Sequence, residues 1–270
     1  MKKNPKLIVP TYIILLIVVI AICLLFFWFV FNSRNVDIVF SINVHENVKF
    51  LIKQLKNIKL YVKSKYIVII NANKKMHEIL QNNKYLKNNT NIILYPKYLN
   101  KKRFHGSLTQ GIYQNMKYAM KFYYFRYFIV LSSRNFFYNK LNPGKYKQLT
   151  DYSNPKKINQ INIKSNAHWP SFLKTKLSQY IIKNNLKFSR SAHEGLTFNY
   201  YSCKDILLFL DKHKDISDNI FNCNSCVEEF ALQSICVNHS HPYYNIGNGT
   251  KTNDIHKLKE NAFVFKKKRI

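Results

Sequence analysis

The chain has 270 residues, 43 Lys and Arg against 13 Asp and Glu for a formal net charge of +30, and 47% hydrophobic and 15% aromatic residues. That apolar content excludes a disordered chain, and the length allows one full-sized domain behind an N-terminal segment. The charge invites a nucleic-acid reading, but only six basic residues are Arg (Arg34, Arg103, Arg126, Arg134, Arg190, Arg269) and the lysines are spread along the whole chain; since Arg is preferred for bidentate phosphate and base contacts, nucleic acid is not expected as a partner.

The N-terminus predicts a membrane anchor. From Leu7 to Ser33 no residue is charged, Lys2, Lys3 and Lys6 precede the run, and only Arg34 and Asp37 lie close after it. At about 1.5 Å per residue such a helix spans the hydrocarbon core of a bilayer. The lysines put the N-terminus in the cytosol. The bulky end of the run, FFWFVF, does not suit signal-peptide cleavage. The expected organisation is a cytosolic tail over residues 1–6, a signal anchor over 7–31, a short stem over 32–36 and a domain over 37–270. That organisation predicts a single-pass type II membrane protein of the endoplasmic reticulum or Golgi kind, with its domain lumenal. Cys203, Cys223, Cys226 and Cys236 lie beyond the anchor and permit two disulfides with three pairings. Cys223 and Cys226 form a C-x-x-C, but no second C-x-x-C or H-x-x-x-H follows at zinc-like spacing, so zinc is not expected. Sequons at Asn88, Asn238 and Asn248 suit a lumenal glycoprotein.

In chain order, Val36–Val44 reads as a buried strand. A helix follows over 45–58, with Val48, Leu51, Ile52 and Leu55 on one face. KYIVIINAN and NIILYP read as second and third strands. SLTQGIYQNMKYAMKFYYF is helical, with Leu108, Ile112, Met116, Ala119 and Met120 recurring at three or four residues, and YFIVLSS is another buried strand. Alternating strands and helices imply an α/β fold with a mostly parallel central sheet, whose ligands bind at the carboxyl ends of strands. Those ends are Asn43–Glu46, Asn71–Lys75 and Ser132–Asn135. The second half predicts helices over HWPSFLKTKLSQYII, SCKDILLFLDKH and VEEFALQSICV, a strand at Leu196–Tyr201, and a C-terminal FVFKKKRI ending in a basic cluster.

Glu228 and Glu229 are the only adjacent carboxylates in the chain. In the first turn of a helix they would favour the positive end of its dipole, and that alone accounts for the pair. Glycine-rich phosphate loops, the G-x-S-x-G elbow and any D-x-D pair are missing from the sequence. The usual metal-diphosphate site of sugar-nucleotide enzymes is therefore missing too. Fixed Lys or Arg side chains can neutralise a departing diphosphate instead, and the terminal KKKR offers them. Trp169 is open to two readings, a packing residue or a sugar platform.

Seven segments in order resemble one family, the core-2/I-branching N-acetylglucosaminyltransferases and the related peptide O-xylosyltransferases. VDIVFSINVHENVKFLIKQLKNI is similar to that family's opening strand, His-containing turn and first helix. YIVIINANKK takes the place of its V-H-V-D-x-K strand. FHGSLTQGIYQNMKYAM resembles W-G-G-x-S-L, and YFRYFIVLSSRNFF resembles Y-D-Y-F-I-L-L-S-G-x-D-Y-P. GLTFNYYS, CVEEFALQSI and IHKLKENAFVFKKKRI fit the remaining motifs, so the likeness covers roughly Val36–Arg269.

The resemblance implies a GT-A-like domain that transfers a GlcNAc- or xylose-like sugar, with inversion and without metal, from a UDP-sugar co-substrate to a glycan or glycoprotein acceptor. No other cofactor is implied. Glu229 falls on the family's catalytic base, beside Glu228 as an acidic neighbour on the acceptor side. Lys268 and Lys267 fall on diphosphate-binding positions, and His45 and Asn73 fall on the donor side. His193, Glu194 and Trp169 are acceptor candidates, with Glu194 an alternative base. A second diphosphate-binding residue has no clear match; His239, His241 and Lys251 remain open. Two departures stand out: Asn73 replaces the Asp that contacts uracil, and Asn135 replaces the Asp of L-S-G-x-D. They leave a second reading, a catalytically degenerate membrane protein that keeps the fold as a binding or structural module.

Overall fold

A computed structural model describes residues 13, 15–23, 34–44, 47–102, 105–145, 170–239, 243–251 and 263–266. The chain falls into two units, Met1–Asn35 and Val36–Ile270. In the first, residues 13 and 15–23 are helical and carry exposed apolar side chains, such as Leu15 at 65%. Much of the expected anchor, residues 7–12, 14 and 24–31, lies outside the described residues. Among those described, no helix is long and apolar enough to cross a membrane.

The second unit is α/β. Strands β1 (Asn35–Val44), β2 (Tyr66–Ala72), β3 (Ile92–Leu94), β4 (Tyr124–Ser132), β6 (Leu196–Asn199) and β7 (Tyr243–Asn245) form a mostly parallel sheet in the order β3-β2-β1-β4-β6-β7. β1 runs parallel to β2 and β2 to β3, whereas β6 is antiparallel to both β4 and β7. The β-branched runs in β1 and β2 are buried on both faces, as a covered parallel sheet requires. Alternate residues feed two cores: Ile67, Ile69, Phe128 and Val130 one, Ile38, Phe40, Ile42, Val68, Ile70 and Ile129 the other.

Helices α1 (Val48–Tyr61), α2 (Lys74–Gln81), α3 (Lys84–Lys87) and α4 (Ser107–Phe122) connect the first four strands. Asparagine starts three of them: the side chains of Asn47, Asn73 and Asn83 accept from backbone N–H groups two or three residues on. Gly106 caps the start of α4, and a Cβ there would lie 1.7 Å from the Ile220 carbonyl oxygen; no other residue fits this contact. The buried face of α4 carries Ile112, Met116 and Ala119 as expected. It also carries Asn115, whose amide donates to Ser41 Oγ (2.9 Å) and Ile69 O (3.1 Å).

Beyond the expected strands, β5 (Asn135–Phe137), β8 (Gly247–Lys251) and β9 (Val264–Lys266) form a second sheet in the order β5-β9-β8. β9 is antiparallel to β5 and brings Lys266 opposite Asn135.

The second half departs from expectation at its breaks. The helix predicted over HWPSFLKTKLSQYII is two, α5 (Pro170–Leu173) and α6 (Lys176–Lys183), with Thr175 capping the latter. The strand at Leu196 ends at Asn199, which caps α7 (Tyr200–Lys212); α8 (Lys214–Phe221) follows at once. The continuous helix expected from Val227 is a 3-10 turn, Val227–Glu229, then α9 (Ala231–Cys236). Phe230 is the break: fully buried, it stacks on Phe172 (4.9 Å) and Phe188 (5.7 Å). None of the five cysteines is joined in a disulfide, so the two permitted disulfides are not formed. Burial pushes the Cys236 thiol up to about 12, which leaves it unreactive.

Candidate active site

The strand order reverses beside β1: β2 and β3 lie to one side of it, β4 to the other. In such sheets the crevice at the carboxyl ends of the strands flanking the reversal is the usual ligand position. Two segments converge on the carboxyl end of β4. One is the turn before β6, tied in by Gly195 N–H donating to Val130 O (2.9 Å). Gly195 has φ +83°, and a Cβ there would meet Gly247 N at 2.5 Å. Glycine is therefore required both by the backbone conformation and by the space. It turns the chain so that His193 and Glu194 stand just ahead of the strand. The other segment is β9.

The 3-10 turn carrying the two glutamates is stitched to the His193 loop by hydrogen bonds. Ser191 N–H donates to Glu229 O (3.0 Å), and the Gln233 amide donates to both Ser191 O and Glu228 O (3.1 Å each). Ser189 and Ser234 exchange two more, Ser189 N–H to Ser234 Oγ (3.1 Å) and Ser234 Oγ to Ser189 O (3.0 Å). Arg190 holds its guanidinium 5.6 Å above the Phe230 ring. The result brings Glu228, Glu229, His193 and Glu194 together.

Their environments differ. Glu228 is 3% exposed, and its Oε2 has no hydrogen-bond partner among the described residues. Burial pushes its carboxyl up from 4.5 to about 7; His193 opposes that rise, and Glu229 and Glu194 add to it. Glu229 is half-buried. His193 Nε2 lies 3.5 Å from Glu194 Oε1, while its Nδ1 is buried without a partner. A buried carboxyl with a near-neutral proton affinity beside a more accessible one is an arrangement suited to acid–base chemistry. The dipole reading of the glutamate pair loses force, because they sit in a 3-10 turn ahead of a helix of only six residues.

Other expected site residues are engaged elsewhere or lie outside the described residues. Asn73 is half-buried, and its side-chain oxygen caps α2 by accepting from Met76 N–H (2.9 Å). Asn135 is buried: its Oδ1 accepts from Ser132 N–H (2.6 Å) and its Nδ2 donates to Phe265 O (3.3 Å). A carboxylate cannot make that second bond, so the amide fits this joint between β4 and β9. His45, Trp169, His241, Lys267 and Lys268 lie outside the described residues, as does the side chain of Lys251. His239 bonds back to Ile235 O (2.8 Å) and lines a cavity of about 160 Å³ with Tyr180 and Phe209. A cavity of about 280 Å³ lies beside β3, lined by His77, Leu86 and Pro96. Neither cavity contains the glutamate cluster.

No protein-family model matches this chain, and no curated protein is significantly similar to it.

Sequence reasoning missed Lys101. Its ammonium donates to the Asn71 carbonyl at the carboxyl end of β2, and burial holds its pKa well below the ordinary lysine value. Asn43, at the end of β1, donates to Leu108 O (2.8 Å) with its own oxygen left unpartnered. The basic run before HGSL was the available signal, but a loop lysine in so basic a chain does not stand out.

Proposed function

We propose that the protein is a membrane-anchored, inverting, metal-independent glycosyltransferase with a GT-A-like lumenal domain. It moves a GlcNAc- or xylose-like sugar from a UDP-sugar to a glycan or glycoprotein acceptor. What carries the reading is one observation: the four residues Glu228, Glu229, His193 and Glu194 lie together, at a loop tied by Gly195 to β4, one of the strands that flank the reversal. The acceptor hydroxyl gives its proton to the Glu229 carboxylate as its oxygen bonds to the anomeric carbon. The bond from that carbon to the UDP oxygen breaks, and the electron pair leaves with the diphosphate. Lys267 and Lys268 meet the departing charge. Further support is that β9, which leads directly into these lysines, ends opposite Asn135 at the carboxyl end of β4. The deciding experiment is the full-length protein in detergent with a panel of UDP-sugars, with and without EDTA. Transfer or donor hydrolysis that survives EDTA is expected, from the missing D-x-D and the basic C-terminus. Strict dependence on added manganese overturns the lysine assignment.

A second reading, a binding module of the same fold without activity, is favoured by Asn73 and Asn135. Both neutral amides stand where the resembling family has Asp, and both are spent on structural hydrogen bonds. Donor binding without turnover across the whole panel would select it.

Lumenal exposure makes a separate expectation for the sequons. Asn88 is exposed at the end of α3. Asn238 uses its amide nitrogen on Lys187 O (2.7 Å) and Ser234 O (2.6 Å), and its oxygen accepts from Lys187 N–H (2.8 Å). Asn88→Gln should therefore remove one glycosidase-sensitive step in gel mobility, and Asn238→Gln none. The reverse pattern would be inconsistent with this fold around Asn238.

A further inference from the structure

The two faces of the central sheet carry unlike surfaces. Between Asn47 and Thr150 the sequence holds 21 Lys and Arg and a single acid, Glu78, whereas ten acids lie beyond Thr150. Helices α1, α2 and α3 bury Leu51, Leu55, Met76, Leu80 and Leu86 against one face of the sheet. Their outer sides carry eight exposed lysines: Lys49, Lys53, Lys56 and Lys59 on α1 and two on each of α2 and α3. Lys56 lies over the Tyr85 ring (5.9 Å), which joins α1 to α3 in one surface. Two large aliphatic side chains stand in the lysine rows. Leu60 (62% exposed) follows Lys56 by four residues and Ile79 (45%) follows Lys75 by four, so each shares a helix face with its lysine. We propose that the α1–α2–α3 face docks on the surface of a bilayer that contains anionic lipid.

Charge and apolar exposure together select this occupant. Among the described residues, the lysine–carboxylate ion pairs Lys117–Asp211, Lys214–Asp211 and Lys176–Asp215 all belong to the opposite face of the sheet. The opposite face also exposes Leu208, but with Asp205 and Asp211 three residues to either side of it on α7. On the α1–α2–α3 face Glu78 alone opposes the lysines, so the surface complements a negative potential. Lysines around exposed aliphatic side chains are the pattern of helices that lie in a membrane interface. All eight basic residues are Lys rather than Arg, point charges that suit a diffuse surface potential better than bidentate phosphate recognition in a nucleic acid. An acidic soluble chain would satisfy the lysines but gives Leu60 and Ile79 no apolar phase to enter. The cavity beside β3 adds Lys87 to apolar walls from Leu80, Leu86, Ile92 and Leu94, a composition that suits an amphiphile.

The nearness of the bilayer rests on the anchor in the proposed function. The expected stem, residues 32–36, extends no more than about 18 Å even when fully stretched. So short a tether keeps the local concentration of lipid high, and weak contacts at single lysines then suffice to hold the face.

The test mixes the full-length protein with vesicles of phosphatidylcholine, alone or with phosphatidylserine, and follows acetylation of its lysines by mass spectrometry at low reagent dose. Phosphatidylserine should slow modification of Lys49, Lys53, Lys56 and Lys59 by about fivefold. Lys183, Lys204 and Lys212, exposed on α6 and α7, should be unaffected. Salt near about 1 M, where the Debye length is about 3 Å, should remove most of the difference. Lys53→Gln combined with Lys56→Gln should restore most of the modification at Lys49 and Lys59, and Leu60→Ser, which keeps every charge, should restore part of it. Equal modification with and without phosphatidylserine overturns the docking face. Protection that polyglutamate reproduces and that Leu60→Ser leaves intact overturns the bilayer as its occupant, in favour of an acidic soluble partner. Flotation of the same samples separates the face from the anchor. A protein that floats with pure phosphatidylcholine but shows no phosphatidylserine footprint keeps the anchor and loses the face. One that floats only with phosphatidylserine, and shows the footprint, keeps the face and loses the anchor.

Discussion

Glu228→Gln should raise the melting temperature near pH 8 and raise it far less near pH 5. The carboxyl is almost fully buried, and its folded-state pKa is raised from 4.5 to about 7. A raised value means that the folded protein binds this proton more tightly than the unfolded chain does. The associated stability is fully present below about 4.5 and is lost as the pH rises through about 7. At about 1.4 kcal/mol per pKa unit, ionising Glu228 in place costs about 3 kcal/mol. Gln fills the same space and carries no charge at any pH, so the variant escapes that cost. For a domain of this size, 1 kcal/mol moves the midpoint by roughly 2–4 °C, which gives a gain of about 6–12 °C near pH 8. Melting curves of both proteins at about pH 5 and about pH 8 decide it. A variant less stable than the wild type near pH 8 would mean that Glu228 is ionised at little cost, through a charge partner stronger than His193.

On the proposed transferase reading, Glu229→Gln should cost about 10²–10⁴-fold in transfer rate while leaving donor binding and folding nearly intact. Gln keeps the shape and reach of the side chain but cannot accept the acceptor's proton. Glu229 is only half-buried, so the substitution meets no deep packing constraint and stability should change little. The relevant measurements are initial rate, UDP titration and melting temperature on the same preparation. Should the variant keep more than about a tenth of the wild-type rate, below the least loss expected for a missing base, the role passes to Glu194. That carboxylate lies in the same cluster, 3.5 Å from His193 Nε2.

The two substitutions also show what was legible in the sequence. The buried strands at Val36–Val44 and Ile67–Ile70 announce themselves by uninterrupted β-branched runs, and the long helix from Ser107 by its four-residue spacing. Adjacent glutamates in an acid-poor chain are equally visible. Their unequal burial is not, because it depends on Phe230 docking between Phe172 and Phe188, residues more than forty positions away in the chain. That aromatic stack breaks the helix suggested by the local pattern and turns Glu228 inward. The short strands β5, β7 and β9 were equally hidden: three residues have no periodicity, and their partners come from distant segments. Asn73 and Asn135 illustrate a third limit. The resemblance presents them as departures from Asp, whereas each amide has its own work in the fold, one as a helix cap and one as a joint.

The pairing of β5 with β9 joins residues 130 positions apart in sequence, as in the Asn135 bond to Phe265. Closing so long a loop has a large entropic cost that is recovered only after both ends have docked. β1, β2 and β3, by contrast, are successive strands joined by short helical connections. Assembly is therefore ordered in time: the β1-β2-β3 sheet forms from neighbouring chain, and the joint at Asn135 closes late. A newly made chain then passes through a period in which the β1-β2-β3 sheet is built but β9 has not yet paired with β5.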